Sequence, residues 1–229
     1  MSVAAHPAFS AQQLTIGRER APLLVLDNVV AKPEELIELA ASKLFGDVTS
    51  HYPGVRAKGP LSYQQFVLEK FGGLLAQTFG SPGQKYRFTL CSFSLVTTRP
   101  EKLNHLQRIP HIDAALGSQL ACVHYLFKAN HGGTAFYRHR KTGFEYIDEE
   151  RRERYFRLVE EEKSGPDKPA VAYINGSTAL YEQVGVQDGV FNRMLVYRRN
   201  SLHSACIRSD FAFDADPRTG RLSLNGFLA

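Results

Sequence analysis

His111-Ile112-Asp113 is the part of the chain most able to do chemistry. In an extended segment alternate residues share a face, so the imidazole and the carboxylate project together and make two legs of a divalent-metal site. The tripeptide alone is common, and a third ligand must be brought in by the fold. His203, in Asn200-Ser201-Leu202-His203-Ser204-Ala205, is the candidate, with 89 residues between it and Asp113. Two His and one carboxylate on one triangular face leave coordination positions open, which suits non-haem Fe(II). His124 alternates with Tyr125 and reads as a packed residue, while His105, His131 and His139 lie near turns. Asn104 and Gln107 read as loop residues that could line a pocket beside the metal motif. Cys206 reads as a small buried residue or a substrate contact.

The elements that must position these residues are of two kinds. Leu23 to Leu26 reads as a short buried strand, and Pro33 with Glu34 and Glu35 opens a helix carrying Leu36, Leu39, Ala40 and Leu44 up to Gly46. Ser62 to Phe79 spaces its apolar residues as a second helix. From Lys85 the texture changes to short β-type runs: Tyr86 to Thr97, Ala121 to Phe127, Tyr173-Ile174, Met194 to Tyr197 and Leu222 to Phe227. A charged helical stretch, Asp148 to Lys163, interrupts them and reads as a solvated surface helix or a cover for the site's mouth. Several short strands separated by turn signals predict a sandwich or barrel-like double sheet. The expected organisation is one domain: a loose arm over 1–20, helical support over 21–84 and a β core over 85–229.

Composition excludes several classes. The chain has 229 residues, 43% hydrophobic and 22% charged, an ordinary globular balance. No apolar run approaches the roughly 18 residues of a membrane span, and no secretory signal is read at the N-terminus, so a cytoplasmic location is expected. Three widely spaced cysteines form neither a disulfide framework nor a zinc site. The formal charge of +5 invites a nucleic-acid partner. However, the basic clusters at 138–141, 151–154 and 198–199 are short, and the second is interleaved with acids, so nucleic acid is not expected.

Four segments, in order, resemble the 2-oxoglutarate/Fe(II)-dependent oxygenase superfamily, in its prolyl 4-hydroxylase-like branch. Pro110 to Asp113 resembles the first metal motif. His124 to Phe127, then Gly132-Gly133-Thr134-Ala135-Phe136, resembles the family's strand–turn–strand with paired glycines. Asn192 to Tyr197 leading to His203-Ser204 resembles the strand that delivers the distal His, and Arg221 to Phe227 resembles the final strand. The implied fold is mainly β with flanking helices, a double-stranded β-helix (jelly roll).

The resemblance implies roles. His111, Asp113 and His203 would ligate Fe(II), and Arg221 would hold the far carboxylate of 2-oxoglutarate through its planar fork. Ser223 would face the same way and add a hydroxyl bond, and Tyr125 matches a position from which a phenol reaches the same carboxylate. The 17 residues between His203 and Arg221 make that connection long, which leaves Arg218 as the alternative anchor. The implied activity, with O₂ as oxidant, is hydroxylation of a C–H bond in a small-molecule or peptide substrate, with release of succinate and CO₂. Related halogenases carry Gly or Ala where Asp113 stands, so the carboxylate implies hydroxylation. Two alternatives stay open: a non-catalytic jelly-roll binding module, and a cupin-like metalloenzyme that does not use 2-oxoglutarate. Substrate identity and oligomeric state are not legible.

Overall fold

The computed structural model describes residues 2–47, 52–80 and 83–229. Its strands are β1 (Ser10–Ile16), β2 (Ala21–Asp27), β3 (Gly46–Asp47), β4 (Gly54–Lys58), β5 (Phe88–Val96), β6 (Leu120–Tyr125), β7 (Thr134–His139), β8 (Tyr181–Gln187), β9 (Met194–Arg198), β10 (His203–Ala205) and β11 (Leu222–Leu228). Three α-helices, α1 (Pro33–Ala41), α2 (Leu61–Phe79) and α3 (Glu149–Glu162), lie between them. Eight strands form a major sheet in the order β1-β2-β9-β6-β11-β5-β4-β3, and β10-β7-β8 form a minor one. All pairings are antiparallel. This is the expected β-rich jelly roll with flanking helices. No helix among the described residues is long and apolar enough to cross a membrane.

β2 shows why a continuous apolar run reads as a doubly covered strand. Leu24 and Leu26 pack in the cluster shared with α1 and α2, while Leu23 and Val25 pack with Phe136 and Tyr197 between the sheets. The outer face of the major sheet thus buries its apolar stripe on the helices, and its inner face meets the minor sheet. On β6, His124 points outward and Tyr125 inward. The His124 Nε2 is 3.1 Å from Asn192 Oδ1 and its Nδ1 is 3.0 Å from the Tyr63 hydroxyl of α2. Burial pushes this imidazole down to about 4, against the opposing effect of the Asn192 hydrogen bond, so it is neutral.

Four expectations need correction. The arm over 1–20 contains β1, which pairs with β2 across seven residues; as an exposed edge strand it needs no apolar alternation, so the sequence carried no signal for it. The first helix ends at Ala41, where the Ser42 hydroxyl donates to the Leu39 carbonyl (2.8 Å), and Leu44 lies on the surface, 98% exposed. Tyr173-Ile174 is not a strand; both residues are buried, and the Tyr173 hydroxyl donates to the Thr98 carbonyl at 2.7 Å. The helical support over 21–84 also supplies β2, β3 and β4 to the major sheet.

The charge surplus is dispersed. Arg138 is buried and bonds Glu145 and Glu182, Arg193 forks onto Asp27 at 2.6 and 3.0 Å, and Arg198 donates to the carbonyls of Phe79 and Gly117. His139 is fully buried against Thr142 and Glu162. None of these groups forms an exposed basic stripe.

Candidate active site

The fold brings His111, Asp113 and His203 together. His203 opens β10 and exchanges backbone hydrogen bonds with His111, at 2.9 Å from His111 N to His203 O and 3.0 Å in return. The 110–113 segment is therefore an irregular continuation of the minor sheet beside β10, whose other neighbour is β7. The Asp113 N–H donates to the Arg199 carbonyl at 2.8 Å, which fixes the end of the segment.

The donor atoms of the three side chains all lie within 4.8 Å of one another. Asp113 Oδ1 is 3.9 Å from His111 Nε2, and its Oδ2 is 3.5 Å from His203 Nε2. Bonds of about 2.1 Å let one ion span donors up to roughly 4 Å apart, so both Asp113 separations fit a divalent ion. His203 is buried, and its Nδ1 donates to the Ser201 carbonyl at 3.0 Å. That bond fixes the tautomer and leaves the Nε2 lone pair facing Asp113. His111 is half-exposed and stands toward the mouth.

The cavity beside this triangle is lined along β11. Ser223, Asn225 and Phe227 alternate on its inner face, and Arg221, immediately before the strand, continues the row. Arg221 is 3% exposed; its Nη2 donates to the Gly133 carbonyl at 2.8 Å and its Nε to the His131 carbonyl at 3.2 Å. These bonds aim the guanidinium, and its Nη1 has no hydrogen bond among the described residues. The carbonyls come from the paired-glycine turn. Gly132 has φ +77°, and a Cβ on Gly132 or Gly133 would strike the backbone of Cys206 or Gln187. Arg218 is far from this arrangement: it lies on the surface, forked onto Glu38 at 3.0 and 2.6 Å.

The remaining site residues are placed as follows. Ser223 is buried on the cavity wall. Tyr125 is fully buried behind it, its hydroxyl 2.7 Å from Thr134 Oγ1 and its ring 5.8 Å from the Arg221 guanidinium carbon. Burial pushes its phenol up to about 12, so it stays protonated. Gln107 lines the cavity, and Asn104 closes a capping box with it. His131 is held by the Thr219 carbonyl and by the rings of Phe127 and Phe211. Cys206 is buried, with its thiol pushed up to about 11 by desolvation.

Sequence reasoning missed several lining residues: Tyr52, Arg56, Thr134, Tyr173, Tyr197 and Asn225. Strand alternation from Ser223 points to Asn225, but no local signal marks Tyr52 or Arg56. The cavity opens into an outer lobe walled by Ile109, Ile112, Tyr155 and Phe156. One face of α3 is thus core, through Tyr155 and Val159, and its edge forms the mouth.

Residues 7–228 match a family described as one of unknown function. The chain belongs to the DUF6445 family. No curated protein matches its sequence. This DUF6445 chain is similar in structure to SnoN, described as a non-heme alpha-ketoglutarate-dependent epimerase from nogalamycin biosynthesis. The two share 14% identity over 92% of this chain and 78% of SnoN, with a TM-score of 0.52. It is also similar to HygX from Streptomyces hygroscopicus, solved with nickel and 2-oxoglutarate bound, at 10% identity over 93% of this chain and 87% of HygX, with a TM-score of 0.50. At such identities the likeness establishes the fold of the DUF6445 chain.

Proposed function

We propose that the chain is an Fe(II)- and 2-oxoglutarate-dependent oxygenase that hydroxylates a C–H bond of a peptide, protein side chain or amino-acid-like metabolite. The carrying observation is a His111/Asp113/His203 donor triangle within 4.8 Å on the same cavity as the buried guanidinium of Arg221. Fe(II) with 2-oxoglutarate and O₂ supplies oxidative decarboxylation, yielding succinate and CO₂ and leaving one oxygen atom for the substrate. The donor set fits: two imidazoles and one carboxylate leave positions open for a chelating 2-oxo acid. The fold shared with SnoN, described as alpha-ketoglutarate-dependent, and with HygX, solved with 2-oxoglutarate bound, supports the reading. The motif order resembling prolyl 4-hydroxylases concerns architecture and does not make proline the substrate.

The chain's own groups have separable tasks. Ser201 orients His203 through its carbonyl, and the Arg199 backbone holds Asp113. Arg221 offers its unengaged N–H groups to the carboxylate of the 2-oxo acid remote from the metal, and Ser223 adds a hydroxyl two residues along the same face. The neutral phenols of Tyr197 on the wall and of Tyr125 behind it place no competing negative charge near the cavity, burial raising both pKa values. Anaerobic addition of 2-oxoglutarate to the Fe(II)-loaded chain should produce a weak visible charge-transfer band. Admitting air should yield succinate only when both iron and 2-oxoglutarate are present. Absence of both the band and 2-oxoglutarate binding by the folded chain would sink the proposal.

A further inference from the structure

Arg56 is a second guanidinium in the cavity, and the reading above gives it no task. It stands on β4 opposite Ser94 of β5, which stands opposite Ser223 of β11, which stands opposite Tyr125 of β6. Directly opposed residues of antiparallel strands share a face. Register therefore turns Arg56 inward, where it lines both the inner cavity and the outer lobe. Its guanidinium carbon lies 4.3 Å from the centre of the Tyr52 ring. Its Nε is buried with no hydrogen-bond partner among the described residues.

Among the described residues no carboxylate forms a hydrogen bond or an ion pair with Arg56, and Asp113 acts on it only through space. Asp113 is the one acid among the lining residues, and its two oxygens face His111 and His203. Burial works against the charged form, lowering the Arg56 pKa from its ordinary value. Arg193 and Arg198, by contrast, spend their N–H groups on Asp27 and on main-chain carbonyls. A desolvated fork with an idle donor, aimed into a cavity, is the arrangement that a planar anion completes.

We propose that Arg56 holds the carboxylate of the substrate, and that the substrate is a monoanionic acid whose apolar body lies in the outer lobe against Ile109, Ile112, Tyr155 and Phe156. This rests on the iron and 2-oxoglutarate reading of the same cavity. Charge supports a single negative group. A divalent ion, the Asp113 carboxylate, the Arg221 and Arg56 guanidiniums and a dianionic 2-oxo acid together leave one positive charge. The position supports it too, because Arg56 lines both the inner cavity and the apolar lobe, as His111 and Asp113 do.

The test compares free acids with their amides. Phenylacetate and N-acetyl-L-leucine, and the matching phenylacetamide and N-acetyl-L-leucinamide, are titrated calorimetrically into the full chain. The titrations are done metal-free and, anaerobically, with Fe(II) and 2-oxoglutarate. Both acids should bind at least tenfold more tightly than their amides in each form. Arg56→Gln should remove that preference while its 2-oxoglutarate affinity, read from the charge-transfer band, stays within twofold. That band also reports that the variant is folded. Arg56→Lys, which keeps the charge and loses the fork, should fall between. The proposal is overturned by equal binding of acid and amide, by acid binding that Arg56→Gln leaves unchanged, or by no acid binding at all. An Arg56→Gln variant that loses 2-oxoglutarate instead also overturns it, because Arg56 would then belong to the cosubstrate. A wild-type chain without the band, yet with an Arg56-dependent preference for acids, would defeat the iron reading alone.

Discussion

Replacing Arg221 tests the proposed anchoring of the 2-oxo acid apart from support of the fold, because one guanidinium would serve both. One face donates to the carbonyls of His131, Gly132 and Gly133, while Nη1 is left over for a ligand. Truncating one partner of a buried charge pair costs about 2–5 kcal/mol, so Arg221→Ala should weaken 2-oxoglutarate binding roughly 30-fold or more. Arg221→Lys keeps a point charge without the fork and should lose about tenfold. Of the three carbonyl contacts only that to Gly133, at 2.8 Å, is short. The structural loss is therefore about 2–3 kcal/mol, and a chain of this size should melt roughly 5–10 °C lower. The assay is anaerobic titration of the Fe(II)-loaded protein with 2-oxoglutarate, followed by the charge-transfer band, with a thermal scan beside it. Arg218→Ala is the control; its partner is the surface carboxylate of Glu38, so the titration should not change. Unchanged 2-oxoglutarate affinity in a folded Arg221→Ala chain would refute the assignment.

Other substitutions probe the remaining parts. Asp113→Ala should abolish Fe(II) binding measured by calorimetry while the circular dichroism spectrum is kept, since its side-chain ion pairs among the described residues are with the two histidines. Gly132→Ala should destabilise the fold by about 3 kcal/mol or more, because φ is +77° and the new Cβ meets the Cys206 carbonyl; a melting temperature within a degree of wild type would count against the tight turn. His124 titrates near 4 when folded against 6.5 as its ordinary value. Between those values the unfolded chain binds the extra proton, so stability is lost as pH falls from 6.5 towards 4, by about 3 kcal/mol in total. His124→Gln should flatten the melting temperature against pH over that window, and an unchanged slope would assign the acid sensitivity to other groups.

How much of the site could be read from the chain follows from the range of each signal. The His111/Asp113 pair and the Arg221/Ser223 pair are alternations within one extended segment, and alternation is a local property. Leu23 to Leu26 was legible because a strand covered on both faces is apolar throughout. β1 was not legible, because an exposed edge strand is held by backbone pairing, which leaves no trace in side-chain type. Tyr173-Ile174 looked like a strand because β-type residues also serve as loop anchors, here through the bond to Thr98.

The sequence by itself determined the donor types, their pairing within segments, and the β-rich class with its helical flank. Only the tertiary structure decided that His203 meets His111 through a two-way backbone bridge, and that the buried Arg221 shares the cavity of His111, Asp113 and His203 while Arg218 lies outside on Glu38. It alone turned Arg56 inward, because cross-strand register is set by how whole strands pair, and no residue carries that information alone.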